Sequence, residues 1–137
     1  PAARRIKQGI HPAPAESGEL CWERVENSPG PGNVLFLEME SELVTEIVTG
    51  FGQKGRLAEN VADQAANEAR EYLEADVPVG GHLADQLLIY LALAGGGSYL
   101  TMRPTLHTLT NIEVIRQFLD VDFMVKPYRE KAWIIGL

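Results

Sequence analysis

The chain of 137 residues has one cysteine, Cys21, so no internal disulfide can form and a reducing, cytoplasmic setting is expected. It also lacks any apolar run near the roughly 20 residues that a membrane-spanning helix needs. The longest such run, 83–94, is interrupted by Asp85 and Gln86. Residues 1–10 are basic with no apolar segment behind them, so no secretory signal is read there. There is no methionine at position 1, and the chain is therefore expected to be a piece of a longer protein. Aromatic residues are scarce at 7%, yet hydrophobic residues reach 45% and charged residues 23%, which excludes a disordered tail or a fibre.

What charge there is sits unevenly. Residues 1–33 and 77–137 are balanced, whereas 34–76 carry ten acids against three bases, the whole of the net −7. An acidic surface repels a nucleic-acid backbone, so nothing here reads as a free-standing nucleic-acid binder, and the acidic middle reads as a solvated face. The acidic stretch stops at Asp76, before Val77-Pro78-Val79-Gly80-Gly81, and this is the clearest boundary in the chain. It predicts two parts, 1–77 and 78–137.

In the first part, residues 2–8 read as the end of a helix stopped by Gly9 and Pro12. Residues 11–18 read as a loop, 21–25 as a short strand and 28–32 as a turn. Residues 33–40 alternate, with Leu35, Leu37 and Met39 on one side, and 44–51 are β-branched and apolar, so the two pair as strands. Residues 57–73 read as a helix, with Leu57, Val61, Ala65, Ala69 and Leu73 four apart and Glu59, Asp63, Glu68 and Glu71 outward. In the second part, 82–94 reads as a nearly all-apolar and buried helix that needs cover from both sides. Gly95-Gly96-Gly97 ends it and 98–103 follows as a strand. A second helix is predicted over 111–119, capped by Thr110 with Glu113 three residues on, and with Ile112, Ile115, Phe118 and Leu119 facing a core. A hairpin of 121–126 and 132–137 completes an α-β-α-β-β order. The fold class is α/β (α+β), with helices on one face of a sheet.

Four familiar chemistries find no support. The triple glycine follows a helix and precedes a strand, the reverse of a phosphate-cradling loop. His11, His82 and His107 have no metal-ligand spacing, and Cys21 has no cysteine partner. No Gly-x-Ser-x-Gly elbow and no paired-carboxylate motif occurs. Two histidines remain, placed alike: His82 begins one helix, and His107 lies three residues before the predicted cap of the next. A helix N-terminus attracts anions such as phosphate, and the same field disfavours imidazolium, which leaves a nucleophilic imidazole. The alternative is that each histidine bonds a backbone carbonyl at an element end.

The run Gly81-His82-Leu83-Ala84-Asp85-Gln86-Leu87-Leu88, then Ala92-Leu93-Ala94-Gly95-Gly96-Gly97 and His107-Thr108-Leu109-Thr110-Asn111-Ile112, closely resembles the C-terminal part of the RNA 3′-terminal phosphate cyclase family. Gly30-Pro31-Gly32-Asn33 and Thr49-Gly50-Phe51-Gly52-Gln53-Lys54-Gly55 match the same family in the right order, so the resemblance covers about residues 30–137. Members are well over twice this length. The resemblance implies ATP-dependent conversion of an RNA 3′-phosphate to a 2′,3′-cyclic phosphate through a histidyl-adenylate, with a divalent metal (Mg2+ or Mn2+). By motif position the nucleophile falls on His107, and the adenylate-contacting residues fall on His82, Asp85 and Gln86. Many members have tyrosine where this chain has His82, although imidazole can also stack on adenine. Asp85 reads equally as a favourable acid near a helix N-terminus, worth about 0.3–1 kcal/mol, and Gln86 as a polar edge residue.

The resemblance further implies that 1–77 are part of a small inserted α/β domain. Residues 78–137 would be the last βαβαββ-type unit of a larger catalytic domain. Metal ligands and phosphate-gripping arginines are expected in a missing N-terminal portion, which would also be this chain's partner, together with RNA 3′-phosphate ends and no membrane. The fragment alone is expected to be inactive. Two other functions remain open: a non-catalytic cyclase-like RNA-binding or ribosome-assembly scaffold, whose known types lack the nucleophilic histidine, and a complete small interaction module.

Overall fold

The computed structural model describes residues 3–8, 19–21, 23–27, 30 and 32–137. The loop read over 11–18 and most of the turn at 28–32 lie outside the described residues. Mixed helices and strands confirm the α/β class. The chain divides into two compact units, Pro1–Glu71 and Tyr72–Leu137.

The first unit holds β1 (Ala3–Gln8), β2 (Glu19–Cys21), β3 (Val34–Glu40), β4 (Thr45–Phe51) and most of α1 (Ala58–Ala75). Its sheet runs in the order β2-β1-β3-β4, with β1 and β2 parallel and the other neighbours antiparallel. The predicted helix end over 2–8 is instead β1, paired with β3 from Ala3↔Glu40 to Gln8↔Leu35. Six residues are too few to show a helical period, and pairing along a neighbouring strand overrides so short a local preference. The predicted strand at 21–25 also shifts, to Glu19–Cys21, with 23–25 irregular.

The predicted β3–β4 pair is present, in the register Leu37↔Val48 and Met39↔Glu46. Met39 and Val48 are buried, and α1 lies over β4 with Val61, Ala65 and Ala69 inward. Gly50 makes this approach possible: a Cβ there would sit 2.9 Å from Val61 Cγ1. Leu57, predicted to be on the buried stripe, precedes the helix and is exposed.

In the second unit the last turn of α1 is pinned from several sides. Asp76 leaves the helix with φ 49°, in the left-handed region. Arg129 donates to the Ala75 carbonyl at 3.2 Å, to the Asp76 carbonyl, and to the Asp76 carboxylate at 3.3 Å. Lys131 pairs with Glu74 at 2.7 Å. Then follow α2 (Gly81–Ala94), β5 (Ser98–Thr101), α3 (Leu106–Phe118) and the hairpin of β6 (Met124–Arg129) and β7 (Ala132–Gly136). The three strands are ordered β5-β7-β6, all antiparallel neighbours. Val79 forms a parallel bridge with Thr101 at the outer edge of β5. The predicted α-β-α-β-β order is therefore present. A core of Leu88, Ala92, Ile112, Phe123 and Ile135 joins both helices to the sheet.

Gly95 ends α2 as predicted, with φ 71°, its N–H reaching the Ala92 carbonyl and that of Gly96 reaching Leu91. This is the paired bonding of a Schellman turn, which favours glycine because its backbone is left-handed.

Two predicted burial patterns are corrected. Only Ala84, Leu88 and Ala92 of α2 are buried, while Ile89, Tyr90 and Leu93 are exposed, Leu93 by 70%. At about 100° per residue these three point away from the Ala84–Ala92 stripe. In α3, Phe118 is 81% exposed and not in the core. It lies about 120° around the helix from Ile112, whereas Leu119 lies almost in line with it.

The start of α3 is also corrected. The helix is capped by Thr105, whose hydroxyl accepts from the Thr108 N–H at 3.1 Å, and not by Thr110. Glu113, read as half of a capping box, pairs with Arg116 at 2.8 Å in the helix interior.

The Tyr99 hydroxyl donates to the Ala84 carbonyl at 2.7 Å and ties β5 to α2. Burial, and then the negative charge of Asp85, raise the Tyr99 pKa above its ordinary value of 10.0. The folded protein thus keeps a proton that the unfolded chain releases. This contribution is complete below the ordinary value and is lost as pH rises towards the folded one. Urea midpoints taken between about pH 8 and 11 should fall more steeply in the wild type than in Tyr99→Phe. Thr105→Ala should lower stability by about 1 kcal/mol, measured the same way, through loss of the cap.

Candidate active site

The parallel bridge between Val79 and Thr101 decides where the site forms. Val79 leads through Gly80 into α2, and Thr101 leads through a short bend into α3, so neighbouring parallel segments both feed helices at their C-terminal ends. In α/β folds this is the edge where ligands bind. The two helix starts touch: a Cβ on Gly81 would lie 3.7 Å from Thr105 Cγ2.

The N-caps are Gly80 and Thr105, so Gly81 and Leu106 are the first helical residues. His82 and His107 each follow as the second residue of their helix. The predicted likeness of the two histidines is therefore present, but the placement of His107 three residues ahead of its helix is corrected. It sits inside the first turn because Thr105, directly after Pro104, closes the cap on Thr108. Thr105 and Thr108 are also 3.0 Å apart through their hydroxyls, with Thr108 fully buried, which fixes this turn.

Both histidines are exposed, and so is Gln86, which lies with Asp85 about one turn into α2. His82 has a polar or ring interaction of its own. Asp85 differs from the rest. It is half-buried, and its Oδ1 is enclosed without a hydrogen-bond partner. An enclosed carboxylate oxygen with no donor is costly to leave unsatisfied, which sets Asp85 apart from the exposed polar residues of this turn.

Sequence reasoning missed Thr101. Its hydroxyl is buried without a partner at the last residue of β5, 1% exposed. Alternation puts it on the same face of the strand as Tyr99, which reaches α2. Nothing in the local pattern distinguishes Thr101 from an ordinary strand threonine. Thr105 was legible as a cap, since it follows a proline and precedes Thr108 by three residues, but the Thr110–Glu113 pair imitates the same signature. Among the described residues no three of His, Cys, Asp and Glu come together to hold a metal ion. A cavity of about 130 Å³ lined by Thr49, Gln53, Arg56 and Gln64 lies wholly in the first unit and includes none of these residues.

The sequence profile of RNA 3′-terminal phosphate cyclase matches residues 4–125. The chain is 48% identical over 111 residues to the RNA 3′-terminal phosphate cyclase of Salmonella agona, covering 81% of this chain and 32% of that protein. It is 52% identical over 99 residues to that of Koribacter versatilis, covering 72% and 28%. With that of Ectopseudomonas mendocina it shares 50% over 108 residues, covering 79% and 32%. The chain thus spans about a third of the length of these curated relatives. Together with the paired helix starts and the histidine on each, these matches show that the chain belongs to the RNA 3′-terminal phosphate cyclase family.

Proposed function

We propose that the chain is the C-terminal portion of an ATP-dependent enzyme that converts an RNA 3′-phosphate to a 2′,3′-cyclic phosphate, with His107 as its nucleophile. The observation that supports this reading is the approach of the α2 and α3 starts, which brings the first turn carrying His107 next to the one carrying His82. The positive dipole ends of two helices favour the charge of a phosphate held there.

In the first step a ring nitrogen of His107 attacks the α-phosphorus of ATP. The bond from that phosphorus to the bridging oxygen breaks and pyrophosphate leaves, so a P–N bond replaces a P–O bond. In the second, an oxygen of the RNA 3′-phosphate attacks the same phosphorus and the P–N bond breaks, which returns His107 to its starting state. In the third, the adjacent 2′-hydroxyl attacks the RNA phosphorus, loses its proton, and AMP leaves. Each displacement has a good leaving group, which is the advantage of the covalent route. Asp85 would accept from a ribose hydroxyl, His82 would lie against adenine, and Gln86 would offer its amide at the rim. A divalent metal supplies neutralisation of phosphoryl charge in such chemistry; its ligands would come from the remaining two-thirds of the protein.

On this reading 1–77 are part of an inserted α/β domain and 78–137 are the last unit of the catalytic domain, working in the cytoplasm. No helix among the described residues is long and apolar enough to cross a membrane. His107 favours the enzyme over a scaffold on the same fold, because a scaffold has no use for the nucleophile.

ATP labelled at the α-phosphate should label the full-length protein in an acid-labile form, and His107→Ala should abolish it. An unlabelled but folded wild-type protein would favour the scaffold. The 137-residue chain alone, with RNA, ATP and metal, should give no cyclic phosphate above background.

A further inference from the structure

The second unit has three arginines, and two of them are committed to neighbours. Arg116 pairs with Glu113 at 2.8 Å and with Asp122 at 2.6 Å, while Arg129 holds Asp76 and the end of α1. Arg103 is different. It is exposed in the bend between β5 and α3, and among the described residues it makes no hydrogen bond or ion pair. It lies two residues beyond the unpartnered Thr101 hydroxyl, two before the Thr105 cap and four before His107. A guanidinium has five donors in a fixed fork that matches phosphoryl oxygens, and it stays charged at any relevant pH. An exposed fork that no side chain of this unit occupies, in the bend that leads directly into the first turn of α3, is open to an anion from outside the chain.

We infer that Arg103 binds the phosphate that reacts at His107, gripping its non-bridging oxygens with the guanidinium. This rests on the proposed histidyl-adenylate reading and adds to it a phosphate-binding residue carried by this unit itself. Two phosphates visit the site, the polyphosphate of ATP and the 3′-phosphate of RNA, and the oxygens they present are alike. The steps at which they act are separable.

The experiment uses the full-length protein with Arg103→Gln, Arg103→Lys and, as a control for net charge, Lys126→Gln, which removes another exposed cation of the same unit. Label transfer from ATP to protein is measured without RNA, and then release of that label to a 3′-phosphorylated RNA. Loss of roughly ten- to a hundredfold in the first rate with Arg103→Gln, seen mainly as a higher KM for ATP, assigns the polyphosphate. Normal labelling with a comparable loss in the second rate assigns the RNA phosphate. In either case Arg103→Lys recovers part of the loss and Lys126→Gln stays near the wild type. Rates for Arg103→Gln equal to the wild type in both steps overturn the inference, as does an equal loss with Lys126→Gln. If the wild-type protein takes no label, the histidyl-adenylate reading fails first and the inference falls with it. A labelled wild type with an indifferent Arg103 removes the inference alone.

Discussion

The parallel bridge between Val79 and Thr101 is the constraint on which the rest of the second unit depends. Two neighbouring parallel segments must be joined by a crossover, and α2 is that crossover. Because both segments run the same way, the helices that follow them start at the same edge. The contact between Gly81 and Thr105 is a direct consequence. Antiparallel pairing at this point would have sent the two helix starts to opposite ends of the sheet and separated His82 from His107.

The polar groups around that edge divide by what they have to bond. Thr105 and Thr108 satisfy each other and the first turn of α3, and the Tyr99 hydroxyl is spent on α2. Asp85 and Thr101 each keep an enclosed oxygen without a partner. These two are the exceptions in an otherwise satisfied edge. The acidic surplus of the chain does not oppose the proposed function, since it falls within 34–76 and leaves 77–137 balanced.

Much of this was legible in the sequence where a period could express itself. Seven residues of alternation gave the β3–β4 pair, and a four-residue repeat gave α1. The triple glycine declared the end of α2, because the left-handed turn there favours a residue without a side chain. What could not be read depended on tertiary partners. β1 is a strand because β3 lies beside it, and its own six residues carry no such signal. The start of α3 was obscured by two overlapping threonine signatures, of which the structure uses the one at Thr105. Phe118 looked like a core residue from its spacing to Ile115, yet the helix turns it away from Ile112. The likeness of His82 and His107 was legible, whereas the unpartnered oxygen of Asp85 required a fold in three dimensions.

The central claim is that His107, and not another residue on this edge, takes the adenylate. It is tested most directly by stopping the full-length protein with ATP in the absence of RNA and mapping the adduct by peptide mass spectrometry under alkaline conditions, where a phosphoramidate survives. The account predicts AMP on the peptide that contains His107 and attached to that residue. AMP on His82 or on a lysine, with His107 unmodified, would contradict it.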